Sequence, residues 1–375
     1  MMRIARTLAA ALLAGAVAVG AQDAPATWLA ADPGYRLAFP RDHASHPDHR
    51  IEWWYYTGNV ETSSGRRFGY QLTFFRVGVD RRPVNPSRWA VRDLHMAHLA
   101  VTDIAVGRHH VAERLNRDGV GWAGASTETL HVWNDGWSAR LDDATGAGAH
   151  LLNAASDDAG LAVDFRLVPE RPPVLHGADG YSQKGAEAGN ASHYYSLTRL
   201  RTTGRIMVDG EAFDVSGLSW MDHEFGTSFL EPAQVGWDWF SLQLDDGSDL
   251  MVYTMRRDDG IPDPRSSGTF IAPDGSITRL AAGDYALVPG RRWTSPSTGA
   301  AYPVAWTIQV PPLGVEIDVE ATIDAQELET GESTGVTYWE GAIDARGTRD
   351  GASVSGPGYL EMTGYAGQPM SRVLR

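Results

Sequence analysis

The chain has 375 residues, including 41 Gly, 13 Trp, 13 Tyr and 10 Phe, contains no Cys, and carries a formal net charge of −15 at pH 7. The absence of Cys excludes disulfides, thiolate metal sites and a Cys nucleophile, so a buried core has to stabilise the fold, and this length is sufficient for one. The excess of dispersed acidic residues disfavours nucleic acid and anionic membranes as partners, whereas apolar and cationic partners remain open.

The first 21 residues have the features of a signal peptide. Arg3 and Arg6 form a short basic region, residues 8–19 are apolar, and the small residues that end at Ala21 suit a cleavage site. An apolar run of about a dozen residues is shorter than the roughly 20 that span a bilayer. We therefore expect cleavage near Ala21 and a periplasmic mature protein. An uncleaved membrane anchor is the alternative.

Beyond residue 22 the sequence predicts many short strands joined by tight turns. Residues 53–60 are β-branched and aromatic, 63–65 form a turn and 68–77 return, which is the pattern of a hairpin. Further strands are predicted at 93–102, 131–141, 161–168, 192–200, 205–217, 236–244, 250–256, 268–272, 304–310, 315–322, 336–344 and 358–365. The Gly- and Pro-rich loop 169–191 is a candidate rim or lid of a functional site, or else a disordered segment. The predicted fold is all-β, with the turn spacing of a barrel or a sandwich.

Two parts of the sequence share one order of motifs: an Asp-His pair, a loop, an acidic residue followed by aromatics, a hairpin and an Arg. The members are Asp42-His43, Glu52 and Arg76 in the first part and Asp222-His223, Asp238 and Arg256 in the second. A duplication predicts two similar domains, 22–203 and 204–375. Chance similarity between two β segments is the alternative.

The second Asp-His pair is the main candidate for acid–base chemistry. In Asp222-His223-Glu224 two acids flank a His at the point where the strand pattern gives way to a loop. An apolar setting beside Trp220 and Phe225 would raise the pKa of one of these carboxyl groups. The alternative is a loop that is merely held in place by hydrogen bonds. The repeat-equivalent candidates in the first half are Asp42, His43 and Glu52.

Acidic residues also occupy aromatic strands in both halves. Strand alternation places Glu52 on one face with Trp54 and Tyr56. A buried acid needs a partner, and Arg76 and Arg256 are the natural partners of Glu52 and Asp238. A salt bridge in each half is therefore predicted, with catalysis by Asp238 as the alternative. The candidate ligand contacts around these acids are Trp54, Tyr56, His98, Trp220, Phe225, Trp237, Trp239 and Tyr253.

The sequence predicts no cofactor. His43, His46 and His49 recur every three residues, but Pro47 interrupts a helix there and no acid-rich cluster follows, so no metal site is expected. A phosphate loop, a dinucleotide fingerprint and an HExxH motif are all missing. Residues 217–221 lack the final Gly of a nucleophile elbow, which disfavours a hydrolase of that type.

Several strings of the sequence resemble a known family. They are RDHASHPDHRIEWWYYTGNV, LHMAHLAVTD, PPVLHGADGYSQKG, GNASHYYSLTRL, SGLSWMDHEFGTS, VGWDWFSLQLDDG and YWEGA, and they are spread over nearly the whole chain beyond the signal peptide. On these strings the chain resembles the AttH-like secreted proteins, which are related to bacterial carotenoid 1,2-hydratases (hydroxyneurosporene synthases). The resemblance implies two tandem lipocalin-like antiparallel β-barrels packed together, often encoded beside an ABC transporter.

The resemblance also implies a reaction. The hydratase relatives add water to an isolated alkene of an acyclic carotenoid without a cofactor. Protonating that alkene needs a neutral carboxylic acid in a dry pocket, and aromatic faces stabilise the carbocation. His223 matches the family's His near the reacting bond, and Phe225 stands where hydratases carry Trp. The hydratases place an Asp just after a Tyr on the next strand, but here Tyr253 is followed by Thr254 and Met255, neither of which is acidic. The proton would then have to come from Asp222, Glu224 or Asp238.

Two functions follow from these expectations. The first is a cofactor-independent hydro-lyase that acts on an isoprenoid or another hydrophobic molecule. The second is a non-catalytic lipid or ligand carrier, or an accessory factor of an ABC transporter. Both predict a deep apolar cavity, because a barrel of about eight strands can hold a ligand. They differ in whether an acid with a raised pKa lies within reach of that cavity. A purely structural role is the third alternative.

Overall fold

The computed structural model describes residues 27–142, 146, 148–228 and 230–367, and in this part of the chain the regular structure is β-strand apart from two short 3-10 helices, Arg41–His43 and Pro311–Leu313. The all-β prediction is confirmed. The predicted signal peptide and its cleavage site lie outside the described residues. Within the described ranges, no helix combines the length and the apolarity needed to cross a membrane.

The first half of the chain forms one antiparallel sheet with the order β4-β3-β2-β1-β13-β12-β9-β8-β7-β6-β5, and β10 and β11 pair with β12. The two ends of this sheet contact each other, so that it is a nearly closed barrel. Its strands are β1 (Ile51–Glu61), β2 (Arg67–Gly78), β3 (Asp93–Asp103), β4 (Arg108–Arg117), β5 (Ala123–Ala125), β6 (His131–Asn134), β7 (Trp137–Leu141), β8 (His150–Ser156), β9 (Leu161–Pro169), β10 (Val174–Leu175), β11 (Tyr181–Gln183), β12 (Ala191–Val208) and β13 (Glu211–Ser228).

The second half forms a second antiparallel sheet, a half-barrel, with the order β17-β16-β15-β14-β25-β24-β22-β21-β18. In addition, β23 pairs with β24, and β19 and β20 form a separate ribbon. The strands are β14 (Gln234–Gln243), β15 (Asp249–Arg257), β16 (Ser267–Ile271), β17 (Ile277–Ala281), β18 (Ala286–Pro289), β19 (Arg292–Thr294), β20 (Ala301–Pro303), β21 (Ala305–Val310), β22 (Val315–Ala321), β23 (Glu327–Thr330), β24 (Val336–Arg349) and β25 (Ala352–Ala366).

The two sheets repeat one topology. Each begins with a four-stranded meander, and its first strand pairs with its last strand, β1 with β13 and β14 with β25. The long hairpins that end the two halves turn through Asp209-Gly210 and Asp350-Gly351, where all four residues have positive φ. Asp-Gly at such two-residue turns is the strongest short-range hairpin signal. The structures of the two halves therefore match the tandem lipocalin-like arrangement.

The repeat of sequence motifs is correct only in part. The acidic residues lie on β1 and β14, the first strands of the two sheets, and both predicted ion pairs are present, Glu52 with Arg76 at 3.0 Å and Asp238 with Arg256 at 3.2 Å. The two Asp-His pairs are not equivalent. Asp42-His43 lies in a 3-10 helix ahead of β1, whereas Asp222-His223 lies within β13, the last strand of the first sheet.

The boundary between the halves also differs from the prediction. Residues 203 and 204 lie inside β12, which pairs with β13 on both sides of that point. The chain passes from one sheet to the other only between the end of β13 and the start of β14. The physical reason is that β12 and β13 form one long hairpin, whose last strand closes the first barrel against β1.

Strand alternation divides the buried residues into three layers. Trp54, Tyr56 and Phe74 belong to the core inside the first barrel, and Phe240 and Trp306 belong to the core inside the second sheet. A third layer lies between the sheets and contains Tyr55, Trp220, Trp239, Tyr253 and Tyr359. The sheets approach closely beside this layer, because a Cβ added to Gly69 on β2 would lie 2.5 Å from the Ala342 Cβ on β24.

Candidate active site

A cavity of about 300 Å³ lies between the two sheets. This volume is at the lower end of the range of ligand pockets. The cavity is walled by the outer faces of β1, β2, β3 and β13 and by the facing strands β14, β15, β24 and β25. The expected ligand cavity is therefore between the barrels, while the side chains of the first core fill the interior of the first barrel.

Most of the cavity wall is apolar and aromatic. Several of these side chains are only half-buried, so they offer apolar surface to a ligand. The apolar and aromatic lining residues are Ile51, Trp53, Tyr55, Phe75, Val77, Leu94, Met96, Tyr194, Leu230, Trp237, Trp239, Tyr253, Met255, Val336 and Tyr338.

Asp222 faces this cavity from β13 and accepts hydrogen bonds from three side chains. Tyr194 Oη donates to Oδ2 at 2.6 Å, Trp220 Nε1 donates to Oδ1 at 2.7 Å, and Ser196 Oγ also donates to Oδ1. Burial raises the pKa of Asp222 to about 7, although the three donors act in the opposite direction. This carboxyl group therefore gains and loses its proton near neutral pH, as general acid–base catalysis requires.

The donors to Asp222 are themselves fixed by the second sheet. Trp239 Nε1, on β14, donates to Tyr194 Oη at 3.1 Å. His176 contacts Ser196 Oγ at 2.6 Å through Nε2 and Thr269 Oγ1, on β16, at 2.8 Å through Nδ1. The orientation of Asp222 thus depends on the docking of both sheets.

Glu224 lies two residues further along the same face and forms a buried ion pair. Lys184 Nζ is 3.0 Å from Glu224 Oε1, and Ser192 Oγ donates to the same oxygen. Burial lowers the pKa of Lys184, but Glu224 and Tyr253 together outweigh burial and the net pKa is raised. Lys184 Nζ also lies over the rings of Tyr194 and Tyr253, at 4.9 and 4.5 Å from their centroids. Lys184 is therefore a fixed cation whose charge is already matched by Glu224.

Two further carboxyl groups face the cavity from the second sheet. Glu340 on β24 and Glu361 on β25 are direct cross-strand partners. Burial and the charge of Glu361 raise the pKa of Glu340 well above its ordinary value. Burial raises the pKa of Glu361 to about 7, and the charges of Asp222 and Glu224 act in the same direction. The cavity thus combines apolar walls with several acids that hold protons unusually tightly.

The structure brings part of the predicted site together. The predicted residues that line the cavity are Asp222, Glu224, His98, Trp237, Trp239 and Tyr253. Trp220 lies in the same layer and donates to Asp222. His98 contacts Tyr338 Oη at 2.7 Å and Ser333 Oγ at 2.9 Å, and burial lowers the pKa of His98 to about 3, so its ring is neutral.

The other predicted residues point away from this cavity. Asp42, His43, Glu52, Trp54, Tyr56, His223 and Phe225 lie in or at the mouth of the first barrel, and Asp238 faces the inside of the second sheet. His223 is separated from its neighbours Asp222 and Glu224 because successive residues of a strand face opposite sides of the sheet. Asp222 and Glu224 therefore lie in the cavity between the sheets, whereas His223 lies inside the first barrel.

His223 belongs to a closed polar network inside the first barrel. His46 Nδ1 and His223 Nε2 both contact Glu52 Oε1 at 2.9 Å, and Arg76 Nε donates to Glu52 Oε2 at 3.0 Å. The donor atoms of His46, Glu52 and His223 lie within 4.8 Å of one another, as in a metal site. However, Arg76 already balances the Glu52 charge, and both carboxylate oxygens have partners. The cluster therefore fits a structural network better than a metal site.

Lys184, Glu340 and Glu361 were not singled out from the sequence. Lys184 lies in the loop 169–191, which was expected to form a rim, and this loop does supply part of the cavity wall. Glu340 lies in the string YWEGA that carries the family resemblance. Only the pairing register of β24 with β25 reveals that Glu340 and Glu361 face each other.

Comparisons with known proteins agree with this fold. The model of the AttH-like family matches residues 30–365. The structure of the AttH protein of Nitrosomonas europaea is 35% identical to this chain, and the match covers 90% of this chain and 100% of that one with a TM-score of 0.81.

Two fungal proteins show more distant similarity. Kievitone hydratase from Nectria haematococca is 14% identical over 91% of this chain and 96% of its own, with a TM-score of 0.69, a likeness that establishes the fold alone. Dehydratase asqC from Emericella nidulans is 25% identical over 218 residues, which are 56% of this chain and 60% of that protein. The present chain thus spans about 60% of the length of this curated relative.

Proposed function

The chain belongs to the AttH-like family, and on that basis we propose that it catalyses the addition of water to, or its removal from, a hydrophobic molecule held between the two sheets. The proposed enzyme is a hydro-lyase that works by acid–base chemistry without a cofactor. The similarity to a hydratase fold and to a dehydratase sequence supports the reaction class. The cavity supports the hydrophobic character of the substrate.

One observation carries this proposal: Asp222 lies on the wall of an apolar cavity and has a pKa of about 7. A carrier has no need of such a group, because an ionisable acid in an apolar ligand site weakens the binding of a neutral ligand. A hydratase needs a carboxyl group that can both give and accept a proton near neutral pH. The arrangement therefore favours turnover over mere binding.

The aromatic walls support the same chemistry. Hydration of an alkene passes through a carbocation, and aromatic faces stabilise a cation within about 6 Å of their centroids. Trp53, Trp237 and Trp239 line the cavity. Met255, at the position where the family resemblance implies an acid, also lines this cavity. The acids of the proposed site therefore come from other strands than the one that carries Met255.

Export to the periplasm and cooperation with an ABC transporter belong to this proposal as well. The apolar run at residues 8–19 supports export, and the family resemblance supports the transporter. The ligand we propose is an isoprenoid or another lipid-like molecule with an isolated double bond or a tertiary alcohol.

The test begins with the ligand that the protein itself selects. The full chain is purified, extracted with organic solvent and analysed by mass spectrometry. The extracted compound is then returned to the protein in water enriched in heavy oxygen. Incorporation of heavy oxygen by the wild type, and its loss in Asp222→Asn, is the expected result.

Asp238→Asn is the matched control, because Asp238 is equally buried but faces the inside of the second sheet. It should retain incorporation once circular dichroism has shown that it folds. A ligand that binds to the wild type and is returned without heavy oxygen would contradict the enzyme and favour the carrier.

A further inference from the structure

We propose that Glu361 is the proton donor of the cavity and that Glu340, directly opposite, keeps it protonated between turnovers. This inference rests on the proposed function and assigns the acid that the absence of a carboxyl group at Met255 leaves open. It places the acid on the second sheet and leaves Asp222, on the first sheet, as the base.

The geometry of the pair comes from the pairing of β24 with β25. Glu340 and Glu361 are Cα partners in this antiparallel register, and both line the cavity. Directly opposite residues on one face have Cβ atoms about 4.5–5.5 Å apart, and like charges at such positions repel. Two carboxyl groups held this closely in an apolar site cannot both ionise easily, so the pair holds one proton between them.

The pair also lacks the cation that accompanies other buried acids of this protein. Glu52 contacts Arg76, and Asp249 contacts both Arg171 and Arg199. Among the described residues, no Lys or Arg lies within ion-pair distance of Glu340 or Glu361, and Glu340 Oε1 has no hydrogen-bond partner. A carboxyl group without a cation in such a place is stable in its neutral form.

The acidic groups around the pair favour the same state, because the charges of Asp222 and Glu224 raise the pKa of Glu361. The hydroxyl groups of Tyr55 and Tyr338 act in the opposite direction on the pKa of Glu340, but burial and the charge of Glu361 outweigh them. Lys184 is bound to Glu224. Trp237 donates to Glu361 and acts in the opposite direction, but burial outweighs it and raises the pKa of Glu361 to about 7.

The two members of the pair differ in exposure. Glu340 is 1% exposed, whereas Glu361 is only partly buried and reaches the cavity space. Glu361 can therefore touch a ligand, and Glu340 is its more deeply buried cross-strand neighbour. In this assignment Glu361 is a catalytic residue and Glu340 is a positioning residue that sets the protonation of its neighbour.

The reaction balances with these groups and water alone. The O–H bond of Glu361 breaks as a C–H bond forms on one alkene carbon, which leaves a carbocation on the other carbon and a carboxylate on Glu361. Water then forms the C–O bond and gives its proton to the Asp222 carboxylate, which three donors prepare for the ionised state. Transfer of this proton through water from Asp222 to Glu361 restores the enzyme.

The protonation of the pair can be tested without any ligand. Infrared spectra of the full chain are recorded against pH for the wild type and for Glu340→Gln, Glu361→Gln and the double variant. The difference between the wild-type and Glu361→Gln spectra gives the carboxylic acid C=O signal of Glu361 when Glu340 is present. The difference between the Glu340→Gln and double-variant spectra gives the signal of Glu361 when Glu340 is absent.

We expect the second signal to disappear near pH 7. The first should persist to a higher pH, because the charge of one carboxylate of the pair raises the pKa of the other. Glutamine has the shape of glutamate and removes the repulsion, so these variants should fold. If a variant does not fold, the pH dependence of the carboxylic acid signal in the wild-type spectrum still tests whether the pair holds a proton. A wild type without a carboxylic acid signal at pH 6 would overturn the proposal.

Turnover separates the failure of this inference from the failure of the proposed function. Glu361→Gln should lower the rate of heavy-oxygen incorporation by about 10²–10⁴-fold, as expected for loss of a general acid. Glu340→Gln should retain activity but move the pH profile towards acid. An active wild type with an equally active Glu361→Gln would overturn the donor and leave the hydratase standing. An inactive wild type would overturn the hydratase, and the donor role would fall with it.

Discussion

The inside of the first barrel and the cavity between the sheets both bury carboxyl groups, but the two regions treat them in opposite ways. Inside the barrel, burial raises the pKa of Glu52, yet Arg76 and two His side chains outweigh it and hold the pKa well below its ordinary value. In the cavity, burial prevails, and Asp222 and Glu361 both have a pKa of about 7. Burial alone therefore does not decide the charge of an acid; its partners do.

The difference corresponds to two roles. The barrel network satisfies both oxygens of Glu52 and contains its own counter-charge, so it stabilises one arrangement of strands β1, β2 and β13. The cavity leaves carboxyl groups near apolar surface without a full set of partners. The first region supports the fold, and the second is open to chemistry.

The largest expected effect is a difference in the free energy of unfolding between variants of Trp54 and Trp53, which are neighbours on β1. Trp54→Ala removes a side chain that is 1% exposed in the barrel core and should lower the free energy of unfolding by about 3–5 kcal/mol. Trp53→Ala removes a half-buried side chain on the cavity face and should have a much smaller effect. Urea denaturation measures both. Equal losses for the two variants would contradict the separation of core and cavity.

Removal of the counter-charge should also destabilise the barrel network. Arg76→Leu leaves Glu52 buried without its cation and should cost about 3–5 kcal/mol in the free energy of unfolding. The matched control is Arg205→Leu, which breaks an exposed ion pair with Asp214 and should cost at most about 1 kcal/mol. If Arg76→Leu were as stable as this control, the network would not be structural.

The two regions should respond to pH in opposite directions. The pKa of Asp222 is raised from 3.8 to about 7, so its contribution to stability is complete below pH 3.8 and is lost as the pH rises to about 7. The pKa of Glu52 is lowered below 4.5, so its contribution is present above that pH and is lost on acidification.

Thermal melting against pH tests this contrast. Between about pH 4 and 7 the wild type should lose stability as the pH rises, and Asp222→Asn should lose less. The difference between the two proteins should be a few kcal/mol at most. Glu52→Gln should flatten the loss of stability below pH 4.5. Two variants with the same pH profile would show that the regions do not differ in protonation.

The smallest expected effect concerns the hydrogen bond between Trp239 and Tyr194, which joins the two sheets beside Asp222. Trp239→Phe removes the donation of Nε1 to Tyr194 Oη and should lower the free energy of unfolding by about 1 kcal/mol. The same change should lower turnover more than stability suggests, because Tyr194 also donates to Asp222. Steady-state rates of the variant relative to the wild type, set beside its loss of stability in urea, measure this.

Local patterns predicted much of the fold. The alternation on β1 gave the correct faces for Trp54 and Tyr56, whereas the single strand predicted at 205–217 is interrupted by the turn at Asp209-Gly210. The pairing of Glu52 with Arg76 was also correct because both lie in one hairpin. Such features depend only on residues close in sequence.

The site was harder to predict because it depends on distant partners. Asp222-His223-Glu224 was interpreted as the start of a loop, since three ionisable residues are unusual in a strand. They lie within β13 because Tyr194, Glu52 and Lys184 satisfy them from three different segments. Which face of β1 would meet a ligand could not be known without the docking of the second sheet.

The pairing of first and last strands in each half has a consequence for the order of folding. The first barrel can close only after β13 has been synthesised, since Ile51 pairs with Gly226, and the second sheet needs β25, since Asp238 pairs with Met362. Such non-local pairing slows folding. During synthesis the first barrel therefore exists for a time with the aromatic face of β1 and β13 uncovered. Aggregation of incomplete chains should begin on this face, and the acidic cavity is the last part of the molecule to form.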